Sequence, residues 1–172
     1  NLVVFKGKII ASDSGKTIRN ARVTFVTSQK IIHTYTLNNG AFSMKIPKNL
    51  IDNDNVIRVS YYEVLEDLNK NLSQYEEKDF ILTKDELTNH YAITALPRRI
   101  YMGSIVFPTK SEKTMVLING AEIKYNVLLK MITNNKDSFH RKDKDIYYFD
   151  PKFAIAIYGQ KAKKGLYICN DK

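Results

Sequence analysis

The chain has 172 residues, 44% of them hydrophobic, so it can form one ordinary domain or two small ones with a substantial core. Its apolar runs fall short of the ~20 residues that cross a bilayer, which excludes a membrane-spanning helix. The net charge of +9 is uneven, because residues 1–97 carry 12 basic and 11 acidic side chains whereas residues 98–172 carry 15 and 7. Such an excess is typical of a solvated face or of a surface for an anionic partner.

The first segments have the two-residue alternation of strands. Residues 2–10 are strongly apolar, and Gly7 within them indicates a bulge or a close approach of another backbone. A turn cluster over residues 13–16 precedes a second strand, in which Ala21, Val23 and Phe25 alternate with polar residues. A further strand is predicted over residues 56–62.

The stretch of residues 33–47 is predicted to form a β-hairpin around Asn38-Asn39-Gly40. Asn and Gly tolerate a positive φ at low cost, so this turn sets the register of the strands around it. After the turn, Phe42, Met44 and Ile46 occupy alternate positions and are expected to face the core.

These segments resemble the carboxypeptidase regulatory-like domain, a non-catalytic accessory module with a transthyretin-like β-sandwich fold. The resemblance implies a small all-β sandwich over residues 1–97, of a kind common at the N-termini of exported proteins and outer-membrane receptors of Bacteroidetes-type bacteria. The segments that carry it are KGKII at 6–10, GKTI at 15–18, NARV at 20–23, TYT at 34–36, NGAF at 39–42 and VSYY at 59–62.

The acidic residues 63–79 interrupt the strand pattern and are predicted to form a long surface loop. Thr83 and Glu86 then have capping-box spacing for a short helix, and residues 91–96 alternate as a closing strand. Pro97-Arg98-Arg99 is the expected domain boundary, because proline ends the strand and the charge balance changes there.

Beyond the boundary the pattern becomes helical. A strand over residues 115–118 ends at Asn119-Gly120 and precedes a helix over residues 122–133. A strand over residues 146–149 leads into Asp150-Pro151, a helix N-cap with proline at the first position. Gly159 can cap that helix, and residues 166–169 form the last strand of a βαβαβ series.

This series resembles the plug domain of TonB-dependent outer-membrane receptors, with Asn119 where that family has an aspartate. The resemblance covers about residues 113–170, and a barrel of ~22 strands cannot come from a chain of this length. The segments that carry it are VLING at 116–120 and AIYGQKAKKGLYI at 156–168. We therefore expect a mixed fold, with an all-β transthyretin-like sandwich over residues 1–97 and a small α/β plug-like domain over residues 98–172.

Residues with catalytic or metal-binding chemistry do not form a recognisable motif. The three histidines are far apart and outside any H-E-x-x-H pair, and the glycines form neither a dinucleotide fingerprint nor a P-loop. Cys169, the single cysteine, lies in an apolar strand and is expected to be a buried thiol. Asp52 and Asp54 fit either a turn or a weak calcium site. We expect no enzyme activity, no cofactor and no metal.

A basic group in the C-terminal part is the candidate site for an anionic partner. Aspartates are interleaved with it, and a solvated face is the alternative. Its residues are Lys136, Arg141, Lys142, Lys144, Lys161, Lys163 and Lys164.

The two resemblances imply an exported, non-enzymatic protein-interaction module, periplasmic or outer-membrane-associated, whose partner is an envelope or outer-membrane protein. Because residues 2–5 lack the basic segment of a signal peptide, a leader is expected to have been removed. The alternative is a carbohydrate-binding or adhesive module, in which Tyr61, Tyr62, Tyr147 and Tyr148 form an exposed stacking platform for a glycan. Nucleic acid is not the favoured partner.

Overall fold

The computed structural model describes residues 1–65, 72–89, 91–96, 99–102, 114–134 and 144–171. Strands account for most of the described regular structure, with three short α-helices between them. The chain divides into two compact units. The first unit comprises Asn1–Val26 with Ile31–Phe107, and the second comprises Thr27–Lys30 with Pro108–Lys172.

The first unit contains two sheets. One has three strands in the order β4-β1-β7, with β4 antiparallel and β7 parallel to β1. The other has five antiparallel strands in the order β3-β2-β5-β6-β8. The elements are β1 (Leu2–Ala11), β2 (Arg22–Val26), β3 (Ile31–Tyr35), β4 (Ala41–Pro47), β5 (Asp54–Leu65), β6 (Leu72–Thr83), α1 (Lys84–Asn89), β7 (Tyr91–Leu96) and β8 (Arg99–Met102).

One hydrophobic core lies between these two sheets. Alternate residues of each strand point into it because successive side chains of a strand face opposite sides. The three-stranded sheet contributes Phe5 and Ile46, and the five-stranded sheet contributes Phe25 and Ile57, all fully buried. The predicted inward set of Phe42, Met44 and Ile46 is confirmed, since all three belong to this core.

The predicted β-hairpin over residues 33–47 is wrong, because β3 and β4 belong to different sheets. Thr36 follows β3 directly. Its backbone N–H donates to the carbonyl of Ala21, and its hydroxyl donates to the carbonyl of Ile18. The turn then closes through a hydrogen bond from the Gly40 N–H to the carbonyl of Leu37. The chain therefore crosses from the five-stranded to the three-stranded sheet at this turn.

Gly40 is required at that crossing. Its φ is +74°, and a Cβ there would lie 2.6 Å from the carbonyl oxygen of Ile9. That carbonyl belongs to β1, whose Ile9 N–H donates to the Gly40 carbonyl at 2.9 Å. The turn thus sets β4 beside β1.

Gly7 marks a close approach of two backbones, which is one of the two alternatives that the sequence predicted at this glycine. A Cβ at this position would overlap the carbonyl oxygen of Ala92 on β7 and lie 2.6 Å from the ring of Phe42. The parallel pairing of β1 with β7 therefore depends on the missing side chain.

The predicted loop over residues 63–79 is wrong for the described residues of that range. Residues 63–65 end β5 and residues 72–79 belong to β6, and these two long strands pair from Asp54 opposite Thr83 to Leu65 opposite Leu72. The acidic residues led to the loop prediction, yet Glu77 and Asp79 both lie within ion-pair distance of Arg58 on β5. A cross-strand arginine compensates their charge.

The capping box is confirmed at the start of α1. The Thr83 N–H donates to the Glu86 carboxylate at 2.8 Å, and the Glu86 N–H donates to the Thr83 hydroxyl at 3.3 Å. The strand that follows α1 extends to Leu96. The next strand, β8, pairs with β6, so Arg99 and the residues after it join the first unit, whereas the sequence indicated a boundary at Pro97-Arg98-Arg99.

The second unit contains a four-stranded sheet in the order β10-β9-β12-β11. β9 and β12 are parallel, and the outer pairs are antiparallel. The sequence predicted a helix from residue 122, but residues 121–123 form a strand instead and the helix begins at Tyr125. The elements are β9 (Met115–Ile118), β10 (Ala121–Ile123), α2 (Tyr125–Asn134), β11 (Lys144–Phe149), α3 (Pro151–Tyr158) and β12 (Leu166–Asp171).

Both faces of this sheet bury apolar side chains. On one face Val116, Tyr167 and Cys169 pack with Leu128 of α2. The alternate strand positions are buried as well, Phe149 completely. Cys169 is fully buried, as the sequence predicted.

The ends of α3 follow the sequence prediction. Asp150 is the N-cap residue and Pro151 occupies the first helical position, although the Asp150 side chain makes no capping hydrogen bond. Its carbonyl accepts the N–H of Ala154 instead, at 2.9 Å. Gly159, with φ of +75°, is the C-cap.

Candidate functional site

Three lysines of the predicted basic group lie together on a turn between α3 and β12. We call residues 161–164 the basic turn. Lys161, Lys163 and Lys164 are exposed, whereas Ala162 between them is fully buried and anchors the turn. The three lysines lie within four residues, so three exposed cationic side chains belong to one short segment.

Backbone hydrogen bonds hold the basic turn in place. The Lys163 N–H donates to the carbonyl of Gln160 at 3.2 Å, and the Gly165 N–H donates to that of Ala162 at 2.9 Å. The Thr114 hydroxyl donates to the Lys164 carbonyl at 3.4 Å. The lysines are thus mounted on a fixed segment next to the sheet.

Lys161 also has an acidic neighbour. Its Nζ lies 3.8 Å from Oε2 of Glu122, which accepts a hydrogen bond from the Tyr158 hydroxyl at 3.3 Å. Both partners of this ion pair are largely exposed, with 71% and 47% of their side-chain surfaces accessible, so water screens their attraction.

The side chains of the remaining members of the predicted group lie outside the description. Lys136, Arg141 and Lys142 lie outside the described residues, and Lys144 is the first residue of β11, with its side chain outside the description. Among the members whose side chains are described, Lys161, Lys163 and Lys164 share one short segment.

The sequence analysis missed a polar face on the five-stranded sheet. The pairing aligns His33, Thr24, Arg58 and Asp79 in one row across β3, β2, β5 and β6. The neighbouring row across the same strands is Tyr35, Arg22, Ser60 and Glu77. Alternation identifies such residues as facing away from the core, but the sequence does not reveal which strands become neighbours.

Arg58 is the centre of this polar face. Its Nε and one terminal nitrogen donate to the two carboxylate oxygens of Asp79, at 2.7 Å and 2.8 Å. The Glu77 carboxylate lies 3.4 Å away. Only 5% of the Arg58 side chain is exposed, so this bidentate pair holds a buried charge.

A second polar contact lies beside it. The guanidinium of Arg22 is 3.2 Å from Nδ1 of His33, and the His33 ring stacks edge-on with Tyr35. An arginine can only donate, so His33 Nδ1 is the acceptor in this contact. His90 and His140 lie outside the described residues.

The tyrosines named for a glycan platform differ in burial where the structure describes their side chains. Tyr147 is buried and stacks with Phe149, and Tyr61 packs against the core of the first unit. Tyr148 lies 4.9 Å from the ring of Tyr167. The side chain of Tyr62 lies outside the description. Of the three described rings, Tyr147 is buried, whereas Tyr61 and Tyr148 are partly exposed.

Burial raises the pKa of Tyr148 and of its neighbour Tyr167. Desolvation raises the pKa of Tyr167 to about 12, with smaller contributions from Tyr125, Tyr148 and Cys169. Burial, followed by the charge of Asp150, raises the pKa of Tyr148. Both phenols therefore stay neutral to a higher pH than an exposed tyrosine does.

Hydrogen bonds within the segment that contains Asp52 and Asp54 stabilise its turn. Asn55 accepts the Asp52 N–H at 2.9 Å and donates to the Asp52 carbonyl at 2.7 Å. Within the described ranges, no three His, Cys, Asp or Glu side chains converge in a way that could hold a metal ion.

Among the helices that the structure describes, none combines the length and apolar character needed to cross a membrane. Comparison of the chain with protein-family models, with curated proteins and with solved structures finds no match.

Proposed function

We propose that this chain is a non-enzymatic protein-interaction module of the bacterial cell envelope, exported to the periplasm or associated with the outer membrane. In this proposal the first unit is a transthyretin-like sandwich of the carboxypeptidase regulatory-like type. The second unit is a plug-like α/β domain related to that of TonB-dependent receptors. The partner is an envelope protein that presents an acidic surface.

The basic turn is the observation that supports this proposal most directly. It presents three exposed cations on a segment held by backbone hydrogen bonds, so a partner need not order the segment when it binds. Charge complementarity of this kind speeds the encounter with an acidic surface and selects against basic ones.

One feature of the fold supports the proposed family relationship, and one position departs from the family pattern. The first unit has two sheets on either side of one core, as a small sandwich requires. The second unit has a strand that ends in the Asn119-Gly120 turn, and Asn119 exchanges two hydrogen bonds with Asp171 at the end of the neighbouring strand. The aspartate typical of the plug family would lack the amide that donates to the Asp171 carboxylate.

Cross-linking in the source cell tests the proposal. The variant Lys163→Glu/Lys164→Glu reverses the charge of the basic turn, and Lys124→Glu/Lys130→Glu makes the same change in charge at exposed positions elsewhere in the second unit. The wild type and the control are expected to fractionate with the envelope and to form the same cross-linked adduct with an envelope protein. The turn variant is expected to lose most of that adduct.

Two results would refute the proposal. One is recovery of the wild-type chain in the cytoplasmic fraction. The other is an adduct that persists at equal yield in the turn variant. A loss of yield with added salt should accompany the supportive result, because screening weakens contacts between exposed charges.

A further inference from the structure

We propose that the outer face of the three-stranded sheet in the first unit binds the surface of an anionic lipid bilayer. This inference goes beyond the proposed function and concerns a different unit from the basic turn, so the outcome of either test leaves the other open.

The face is built by the alternation of β1. Phe5, Gly7 and Ile9 point into the core, so the positions between them point outward. At the beginning of the strand these outward residues are Leu2 and Val4, which are 60% and 43% exposed. Lys6 and Lys8 follow on the same side, the first exposed and the second partly exposed.

Strand β4 adds a third cation to this face. It pairs with β1 so that Lys45 lies opposite Val4 and Ser43 lies opposite Lys6, both exposed. Neighbouring positions on paired strands are ~5 Å apart and diagonal ones ~7 Å, so Lys6 and Lys45 are close enough to act on one anionic surface. Among the outward residues of β1 and β4 there is no carboxylate.

The combination of apolar and cationic residues selects a bilayer as the occupant. Leu2 and Val4 are large apolar side chains exposed at one end of a face whose other end carries lysines. A small soluble anion would engage the lysines and leave the apolar end in water. A bilayer surface accommodates both, because apolar side chains enter the headgroup boundary while lysines meet acidic headgroups.

The expected strength is that of a reversible peripheral contact. Each lysine near an anionic bilayer raises the partition coefficient roughly fivefold, so three lysines contribute roughly a hundredfold. The attraction falls off within a Debye length, so added salt should release the protein.

Vesicle flotation tests this inference with the whole chain. One set of vesicles contains phosphatidylglycerol in phosphatidylcholine, and the other contains phosphatidylcholine alone. The variant Lys6→Glu/Lys8→Glu/Lys45→Glu is compared with Lys30→Glu/Lys84→Glu/Lys130→Glu, which makes the same charge change at exposed positions outside β1 and β4. A third variant, Leu2→Thr/Val4→Thr, removes only the apolar end.

The wild type and the control are expected to float with the phosphatidylglycerol vesicles only. The face variant should lose binding by at least tenfold beyond the control, and Leu2→Thr/Val4→Thr should weaken it severalfold. Circular dichroism melts verify that each variant is folded; if the triple variant is not, the single variant Lys45→Glu should still weaken binding severalfold.

Three results would overturn the inference. The wild type does not float with anionic vesicles, the control loses as much binding as the face variant, or soluble glycerol phosphate displaces the protein at the same charge concentration as the vesicles. The last result would mean that the face recognises a free phosphate rather than a bilayer.

Discussion

The two units each bury an ionisable side chain, and they do so in opposite ways. The first unit buries the charged Arg58 and surrounds it with the carboxylates of Asp79 and Glu77. The second unit buries Tyr167 among other aromatic rings and keeps it neutral. A buried charge needs permanent partners, whereas a buried phenol is destabilising only when the solvent is alkaline. The stability of the two units should therefore respond to different perturbations.

The largest expected effect is that of removing the buried arginine. Arg58→Met leaves the carboxylate of Asp79 with 11% of its side chain exposed and without its bidentate partner. We expect the free energy of unfolding of the first unit to fall by about 4 kcal/mol. Urea unfolding monitored by hydrogen exchange in β5 measures this loss.

A matched double variant sharpens that result. Arg58→Met/Asp79→Leu replaces the pair with apolar groups of similar size and should recover most of the lost stability. A double variant as unstable as Arg58→Met alone would show that packing around Arg58, rather than its charge, determines the stability of this face.

A smaller effect is expected from alkaline pH on the second unit. Because the pKa of Tyr167 is about 12 in the folded chain and about 10 in the unfolded chain, the folded state binds more protons between these values. The contribution of Tyr167 to the free energy of unfolding is complete below pH 10. It falls by about 2 kcal/mol as the pH rises toward 12.

Tyr167→Phe should remove the part of the stability loss at alkaline pH that comes from ionisation of Tyr167. Thermal melts of the wild type and the variant across that pH range measure the difference. Tyr35→Phe is the control, because Tyr35 is 52% exposed and its removal should leave the decline unchanged. Identical declines in the wild type and Tyr167→Phe would contradict the prediction.

The smallest effect is expected at the exposed ion pair of the second unit. Glu122→Gln removes the carboxylate 3.8 Å from Lys161, and both side chains are largely exposed. We expect a change in unfolding free energy of about 0.5 kcal/mol or less, measured by urea unfolding at low and high salt. A loss of unfolding free energy as large as that of Arg58→Met would contradict the expectation that exposed ion pairs stabilise this protein less than buried ones.

Local features of the fold were predictable from the sequence where one segment determines them. Alternation identified the buried set of Phe42, Met44 and Ile46, and the spacing of Thr83 and Glu86 identified the capping box. Gly7 was linked to a bulge or a close backbone approach, and the structure shows the second of these at Ala92. In each case the physical cause lies within a few residues or in the absence of a side chain.

Features that depend on distant partners were not predictable. The turn at Gly40 looks the same whether its strands pair with each other or with β1 and β2, because the turn residues do not encode the choice of sheet. The acidic residues of β6 resembled a loop because their partner Arg58 lies on another strand. The candidate basic group was predicted by composition, whereas the polar face required the strand register.

The crossing at Gly40 also affects how the first unit assembles during translation. The end of β1 pairs locally through a bridge from Ile10 to Thr17, but most of the strand has no partner until β4 is made. Its second partner strand arrives only with Tyr91, opposite Lys6. Pairings between residues so distant along the chain raise the contact order, and proteins rich in such pairings fold slowly. One edge of β1 therefore stays open on the ribosome until nearly all of the first unit has emerged.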